Sequence, residues 1–435
     1  MRSALTLLVA LGCSSSAQAP AGKHFITLDR DGLATASAVT QQKLFMPAAS
    51  EHVAVIELGD EHLEALSERM HVEHHRCGGF VVHDTLEEAL AALEPAPIAA
   101  TFDYTIDRGS VVRDALPALD KSRILATITE LSAMQNRYYQ SESGVKAAHW
   151  LRDRWKTFTT RSDVTVELFD HAQWAQQSVI MTIPGTTKPD EIVVIGGHLD
   201  SIAPGGRASN APGADDDASG IATLTEIARV LLANNYRPER TLQFMAYAAE
   251  EVGLRGSKDI VADYKKRNKH VVGVMQLDMT NYQGSDKDIW LMKDYTNPAQ
   301  NAFVSQLIDT YTGATWGVDA CGYGCSDHAS WYRAGFAASM PFESRMRQGN
   351  KKIHTKEDTL ERSNNNADHA IKFARLGTSY AIEMAKGNLG GTHVAATLAE
   401  PKSCCGGGNL LLKLLGGALL ISLLVFPLPR VLDRR

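Results

Sequence analysis

The chain is short of basic clusters, repeats and cysteine, and each shortage removes a class of protein. No run of Lys and Arg stands out and the formal net charge is -6, so a nucleic-acid partner is not expected. The mild negative balance bears on solubility alone. No internal repeat is visible, which sets aside solenoids and propellers. Six cysteines fall in 435 residues, and no second Cys/His pair stands near Cys321-Gly-Tyr-Gly-Cys325 to complete four ligands, which argues against a thiolate metal site there. Long apolar runs are confined to the two ends. What remains is an ordinary globular composition, 44% apolar and 22% charged, long enough for one large α/β domain plus extras or for two to three average domains.

The ends read as delivery signals. Arg2 precedes ALTLLVALG and SSSAQA, an export signal over residues 1–19 with a cut after about Ala19. Pro20 is unfavourable just after such a cut. Gly12-Cys13 matches a lipoprotein site only loosely, because Ala10 stands where a larger aliphatic residue is usual. At the other end, residues 396–435 hold KSCCGGGN, then an apolar run, then RVLDRR. Leu410 to Leu428 is close to the roughly 20 residues that span a hydrocarbon core. Arg430, Arg434 and Arg435 favour a cytoplasmic end, and Lys413 can snorkel. A tail of this plan resembles bacterial C-terminal sorting signals that are clipped during surface delivery, and a permanent transmembrane anchor is the other reading. Both give an exported chain, secreted or held at the cell surface, that meets the membrane through its tail. In that oxidising compartment Cys321 and Cys325 are expected to form a local disulfide.

Residues 20–106 alternate short apolar runs (HVAVIEL, GGFVVH) with helical ones (EHLEALSERMHVEHHR, TLEEALAALE), enough for a small α+β leader. Histidines 52, 62, 71, 74, 75 and 83 suggest a metal site, but no carboxylate pattern accompanies them, and a solvated helix face is the better expectation. Such a unit ahead of a hydrolase often covers the site until it is removed, as in a zymogen. APIAATFDYTIDRGSVV, residues 96–112, reads as a linker. From residue 107 to 395 strands and helices alternate. This predicts a mostly parallel mixed sheet flanked by helices on both faces, with the leader in front.

The centre of that domain is IVVIGGHLDSIAPGGRASNAPGADDD, residues 192–217. A buried strand delivers His198, with Asp200 two residues on, to a Gly/Pro/Ser loop ending in three aspartates. The helix ASGIATLTEIARVLLANN follows, capped by Asp217 or Ser219. IPGTTKPDE before the strand reads as a turn. Two further strands end in acids: TLQFMAYAA runs into Glu250 and Glu251, and VVGVMQL into Asp278. Ligands bind beyond the carboxyl ends of strands in open α/β sheets. Carboxylates gathered there repel one another, so a cation is the economical explanation. Imidazole and carboxylate without thiolate suits zinc, with manganese or cobalt as alternatives.

The segments GGHLDS, APGADDDASGIA, MAYAAEEVGLRGS, QLDMTNY, CGYGCSDHASW, MPFES and KIHTKEDT resemble those of the bacterial leucyl aminopeptidase family, exported exopeptidases with two zinc ions, over about Asp107 to Thr392. The resemblance implies a zinc-exopeptidase fold of the phosphorylase/hydrolase-like type. It implies that Asp216 bridges both ions, that His198 and Asp278 complete one, and that Glu251 and His354 complete the other. Glu250 is then the general base. Asp200 orients a ligand, and Tyr323 donates to the oxyanion from the loop that the 321–325 disulfide fixes. Met279, Met340, Phe342 and Ile353 become an apolar pocket for leucine-like first residues. The implied partners are peptide or protein N-termini, and the implied catalytic unit is a monomer. A metallo-carboxypeptidase, deacylase or glutaminyl cyclase on the same scaffold is a competing reading. A non-catalytic surface module is a weaker one, since every ligand position and Glu250 hold competent side chains.

Overall fold

A computed structural model describes residues 22–74, 76, 78–94 and 102–390. The export signal, His75, Cys77 and the tail from 396 lie outside them. No helix among the described residues is long and apolar enough to cross a membrane.

The leader holds strands β1 (Lys23–Asp29), β2 (Ala48–Ala49), β3 (Val53–Gly59) and β4 (Phe80–His83), with helices α1 (Leu33–Thr40), α2 (Asp60–His74) and α3 (Leu86–Ala91). Its antiparallel sheet has the order β2-β3-β1-β4. KHFITLD was not read as a strand, yet β1 is one of its two inner members, pairing with β3 and with β4. Ile26, Ile56, Leu58 and Phe80 from the sheet meet Leu63, Leu66 and Met70 of α2 in one core. Those three helix positions are spaced three and four apart, the period of a single helical face.

The end of the segment read as a linker is helical. Helix α4 (Gly109–Ala115) uses GSVVRDA, with Val112 buried and the Glu383 carboxylate accepting the N–H groups of Asp107 and Arg108 at 2.9 and 3.0 Å. That distant acid fixes the backbone just ahead of the helix, a partner invisible in local sequence. Then follow α5 (Lys121–Ser132), α6 (Glu142–Lys156), β5 (Thr165–Phe169), β6 (Ser178–Ile183), β7 (Lys188–His198), α7 (Ala218–Ala233), β8 (Arg240–Tyr247), α8 (Arg255–Lys266) and β9 (His270–Gln276). The remaining elements are β10 (Ile289–Met292), α9 (Pro298–Leu307), β11 (Trp316–Asp319), α10 (His328–Arg333), β12 (Ala338–Ser339), β13 (Pro341–Phe342) and α11 (Ala370–Ala385).

Six strands form the main sheet in the order β12-β9-β7-β8-β6-β5. The β12, β9, β7 and β8 neighbours run parallel; β6 and β5 join antiparallel. One face packs on α5, α6, α7 and α11, the other on α8 and α10, so the mixed sheet flanked on both faces is as expected. Each fully buried Val or Ile of β7 contributes about 1.5–3 kcal/mol of apolar burial. The turn read over residues 183–191 is shorter than expected, because β7 starts at Lys188 and crosses a register irregularity before Ile192. A second sheet, β11-β10-β13, was not anticipated.

Candidate metal centre

Three parallel strands end at one edge of the sheet, and each hands a short segment to the same spot. His198 is the last residue of β7, Glu250 and Glu251 lie just past β8, and Asp278 lies just past β9. Asp216 comes from the loop before α7, and His354 from a turn between β13 and α11.

The five donors converge. His198 Nε2 lies 2.9 Å from Asp216 Oδ1 and 3.5 Å from Asp278 Oδ1. His354 Nε2 lies 2.6 Å from Glu251 Oε2 and 3.2 Å from Asp216 Oδ2. Asp216 therefore touches both halves of the cluster. All five are buried, from 1% exposure at His198 and Glu251 to 5% at His354.

Backbone geometry directs these side chains. Ala249, Met279 and His354 are non-glycine residues in the left-handed region, at φ 54°, 58° and 55°. Such residues store strain and cluster where structure must place a functional group. The turn at Ala249 lets Glu250 and Glu251 leave the alternation that a strand would force on neighbours. Asp200 then pins both, Oδ1 accepting the Glu250 N–H at 3.0 Å and Oδ2 the Glu251 N–H at 3.1 Å. The Asp200 carbonyl also lies 3.1 Å from His198 Nδ1. One buried residue so orients three of the candidate residues, two through its carboxylate and one through its carbonyl.

Asp217 also comes near His198 and Asp278, but its oxygens are already engaged. Oδ1 accepts from Gly220 N–H and Met279 N–H, and Oδ2 from His198 N–H. It caps α7 and ties three elements together, so its role is structural. On the far side of β8, Ser178 Oγ accepts the Ala248 N–H at 2.9 Å and lies 2.8 Å from His171 Nε2, whose Nδ1 is 2.8 Å from Asp259. The Ser/His/Asp order invites comparison with a hydrolytic triad. Ser178 is fully buried, however, and the line braces the strand end that carries Glu250.

Electrostatics ask for a cation. Burial pushes the Glu251 carboxyl up to about 7, with the Asp216 charge adding to it and His354 opposing. Burial likewise holds Glu250 well above the usual carboxylate range, reinforced by Asp327, Glu251 and Asp278 against the pull of His198. Asp216 goes the other way. Burial works against its charge, but the His198 hydrogen bond and the positive fields of His198 and His354 hold it below the ordinary value. Both Glu251 oxygens and Asp216 Oδ2 are buried without a geometrically sound hydrogen bond. Buried acceptors of this kind need a partner, and three carboxylates with two imidazoles are the donor set a divalent cation takes. The residues fit the expected metal.

Cys321 and Cys325 are joined as a disulfide. Between them Tyr323 is buried in a cluster with Met279, Trp290, Phe342 and Ile353. Met279, Phe342 and Ile353 also line a cavity of about 520 Å³, together with Met346, Asn350 and Thr355, which the sequence reading missed. Met340 belongs to the same cluster but stands back from the cavity lining, its sulfur 3.8 Å from Cys325 Sγ.

The leader closes this region. Along α2, Asp60, Glu64, Ser67 and His71 recur at helical spacing beside the apolar stripe, and each meets the catalytic domain. Arg255 lies 3.6 Å from Asp60, and Tyr138 donates to Glu64 at 2.9 Å. Ser67 donates to the Glu251 carbonyl at 2.8 Å. The rings of His71 and His354 are 4.6 Å apart, and His71 and Val72 line the cavity. Arg76 lies over the Tyr323 ring at 5.3 Å. Val82 N–H donates to the Gly253 carbonyl at 3.2 Å. A Cβ at Gly253, φ +102°, would sit 2.7 Å from Val82. The expected solvated histidine face is therefore corrected at His71, which turns inward because polar groups of α2 pair with the catalytic domain. His83 is buried 2.9 Å from Thr27 Oγ1, and His74 lies 2.9 Å from Thr35 Oγ1.

Similarity to known proteins agrees with this site. The pattern of peptidase family M28 matches residues 178–378. A probable aminopeptidase of Saccharomyces cerevisiae is 38% identical over 305 residues, covering 67% of this chain and 80% of the relative. Leucine aminopeptidase 1 of Penicillium rubens is 36% identical over 285 residues, covering 61% and 72%. The crystal structure of LapB from Legionella pneumophila matches with a TM-score of 0.74 at 30% identity, over 84% of this chain and 100% of that one. LapA aminopeptidase of the same organism gives 0.73 at 26%, over 86% and 99%. A coverage of 84% exceeds all residues from 102 to 435 together, so the likeness to LapB reaches into the leader.

Proposed function

Because this chain belongs to peptidase family M28 and is a zinc-dependent aminopeptidase, we propose that it is an exported enzyme with two zinc ions that removes leucine-like first residues from peptides and proteins. The observation that carries this reading is Asp216, set between a His198/Asp278 half and a Glu251/His354 half of one buried cluster. In it His198 and Asp278 would hold one ion, Glu251 and His354 the other, and Asp216 would serve both. When bound, such a pair supplies a water of lowered pKa and polarises the scissile carbonyl.

The chain's own residues do the rest. Glu250 takes the proton of the attacking water and returns it to the leaving amine. Glu250 is buried just past β8, next to Glu251 of the cluster, where a carboxylate can serve in both steps. Asp200 keeps Glu250 and Glu251 in register through their N–H groups. Tyr323 donates to the developing oxyanion. The substrate's free α-amine is taken by the acidic site, which confines cleavage to the first residue. Met279, Phe342 and Ile353, with Met340 behind them, receive an apolar side chain. The preference is modest, since a methylene is worth about 1–3 kcal/mol.

In the same reading the leader keeps the enzyme closed until it is removed. Ser67 on the Glu251 carbonyl, His71 against His354 and Arg76 over Tyr323 support this, because a peptide would need the space they take.

Zinc analysis of the purified chain, with hydrolysis of leucine anilide, a dipeptide panel and an N-acetylated leucyl peptide before and after cleavage in residues 95–101, tests the proposal. Two zinc ions per chain, cleavage of free-amine substrates only, and a rate that rises on leader cleavage are expected. One zinc per chain overturns the paired-ion reading, and hydrolysis of the acylated peptide alone overturns the exopeptidase one.

A further inference from the structure

Beneath the donor cluster lies a cation that belongs to the chain itself. Arg137 follows the end of α5 and has no solvent exposure. Its guanidinium is spent on backbone carbonyls: Nε donates to Leu199 at 2.8 Å, Nη1 to Pro212 at 2.6 Å and Nη2 to Gly213 at 2.9 Å. Longer contacts reach the carbonyls of Asp216 at 3.4 Å and Leu131 at 3.5 Å. The Arg137 N–H donates to Ser201 Oγ at 3.0 Å, and that hydroxyl donates to the Ala211 carbonyl at 2.9 Å. The preceding residues take the rest of the same loop. Gln135 O accepts the Ala211 N–H, and Asn136 Nδ2 donates to the Ser209 carbonyl.

Residues 199–216 thus carry Asp200 and Asp216 on a loop whose only regular piece is the short turn Gly206–Ala208. A loop of that length has little reason of its own to hold one shape. Here its carbonyls are gathered on one planar fork. Gly213 shows how tightly, since at φ +50° an added Cβ would lie 2.4 Å from the Asp216 carbonyl and 2.7 Å from Arg137 Nη2.

Burying a guanidinium is costly unless charge and hydrogen bonds compensate. Among the described residues no carboxylate makes direct ion-pair contact with Arg137. Desolvation pulls its pKa down, and the fields of Asp217, Asp358, Asp216 and Asp200 oppose that pull. The charge therefore serves the cluster at a distance while the donors serve the loop. An ammonium could supply the charge but not the fork.

We propose that Arg137 is a positioning residue of the metal centre, the template on which residues 199–216 fold so that Asp216 faces His198. The inference rests on the metal-centre reading above. It accounts for the 2.9 Å approach of these two donors.

The test uses the full chain with Arg137→Lys and Arg137→Ala, reading zinc affinity by chelator competition, kcat and KM separately, and melting of the zinc-free chain. Arg137→Lys keeps the charge and loses the fork, and is expected to weaken zinc binding about 10–100-fold. Its kcat should fall about 100-fold while KM moves little, as for a misplaced catalytic group. Arg137→Ala should lose as much, and a non-denaturing concentration of guanidinium chloride should restore it where methylammonium chloride does not. If Arg137→Ala fails to fold, Arg137→Lys carries the test alone. An Arg137→Lys chain with wild-type zinc affinity and kcat overturns the inference, as does equal rescue of Arg137→Ala by either salt. A wild-type chain that binds no zinc overturns the metal-centre reading instead, so the two failures are distinct.

Discussion

Helices α2 of the leader and α7 of the catalytic domain both adjoin the metal centre, and they are built on opposite plans. Helix α7 is buried on nearly every side and brings to the site only its N-terminus, where Asp217 caps it. Helix α2 buries Leu63, Leu66 and Met70 in its own small core and turns a polar stripe toward the catalytic domain. A helix buried all round cannot leave without unfolding the domain. One attached through hydrogen bonds and ring contacts keeps its apolar core to itself. On the proposed reading, the difference separates an element that makes the site from one that covers it.

The sharpest way to break this comparison is at the chemistry. Glu250→Gln in the catalytic domain should retain zinc yet lose turnover by about 10²–10⁴-fold, the range typical of a general base. Glu64→Gln in the leader should lose none, and steady-state kinetics with metal analysis on both variants checks the contrast. A Glu250→Gln chain of full activity removes the assigned base.

Next in size is detachment. Leader cleavage between residues 94 and 102 should raise the rate on a leucyl peptide at least about tenfold, which corresponds to loss of only about 1.4 kcal/mol of docking. An unchanged rate would place α2 among the elements that build the site.

A third measurement sets the two cores side by side. Leu66→Ala and Ile227→Ala, one in each core, should each cost about 2–5 kcal/mol by calorimetry or denaturant titration. Their effects on activity should be opposite. Loosening the leader raises the rate of the intact chain, and loosening α7 lowers it.

The smallest effect is with pH. Burial holds His83 in the leader well below its ordinary pKa, and the Lys258 and Arg333 charges of the catalytic domain add to this. Its folded value is below the unfolded 6.5, so the unfolded leader takes up a proton that the docked one refuses. Stability is then complete above 6.5 and declines as pH falls below it, by at most about 1.4 kcal/mol per pH unit for one group. His328 and His369, which burial lowers to about 4, tax the catalytic domain in the same direction. The smaller leader core should yield first, so circular dichroism melts at pH 7.5 and 5.5 should show its transition shifting further.

Much of the catalytic half was legible because its signals are local. Continuous apolar runs that end in His198, Glu250-Glu251 and Asp278 announce buried strands with donors at one edge, and the helix after Asp217 announces its own cap. The leader was legible as a unit but not in its role. Its stripe of Asp60, Glu64, Ser67 and His71 has the right period, yet a polar helical face looks the same whether it meets water or protein. Met346, Asn350 and Thr355 at the cavity were missed because neither their type nor their spacing sets them apart.

By itself, then, the order of residues put His198, Glu250, Glu251 and Asp278 at strand ends, since these follow from hydrophobic pattern and residue type, while Asp216 and His354 stood out only through the family resemblance. Only the folded chain decided how those donors are held and what lies over them. Arg137 binding the carbonyls of a loop more than sixty positions away, and His71 lying against His354, are contacts between surfaces brought together by packing, and no local pattern encodes a meeting of that kind.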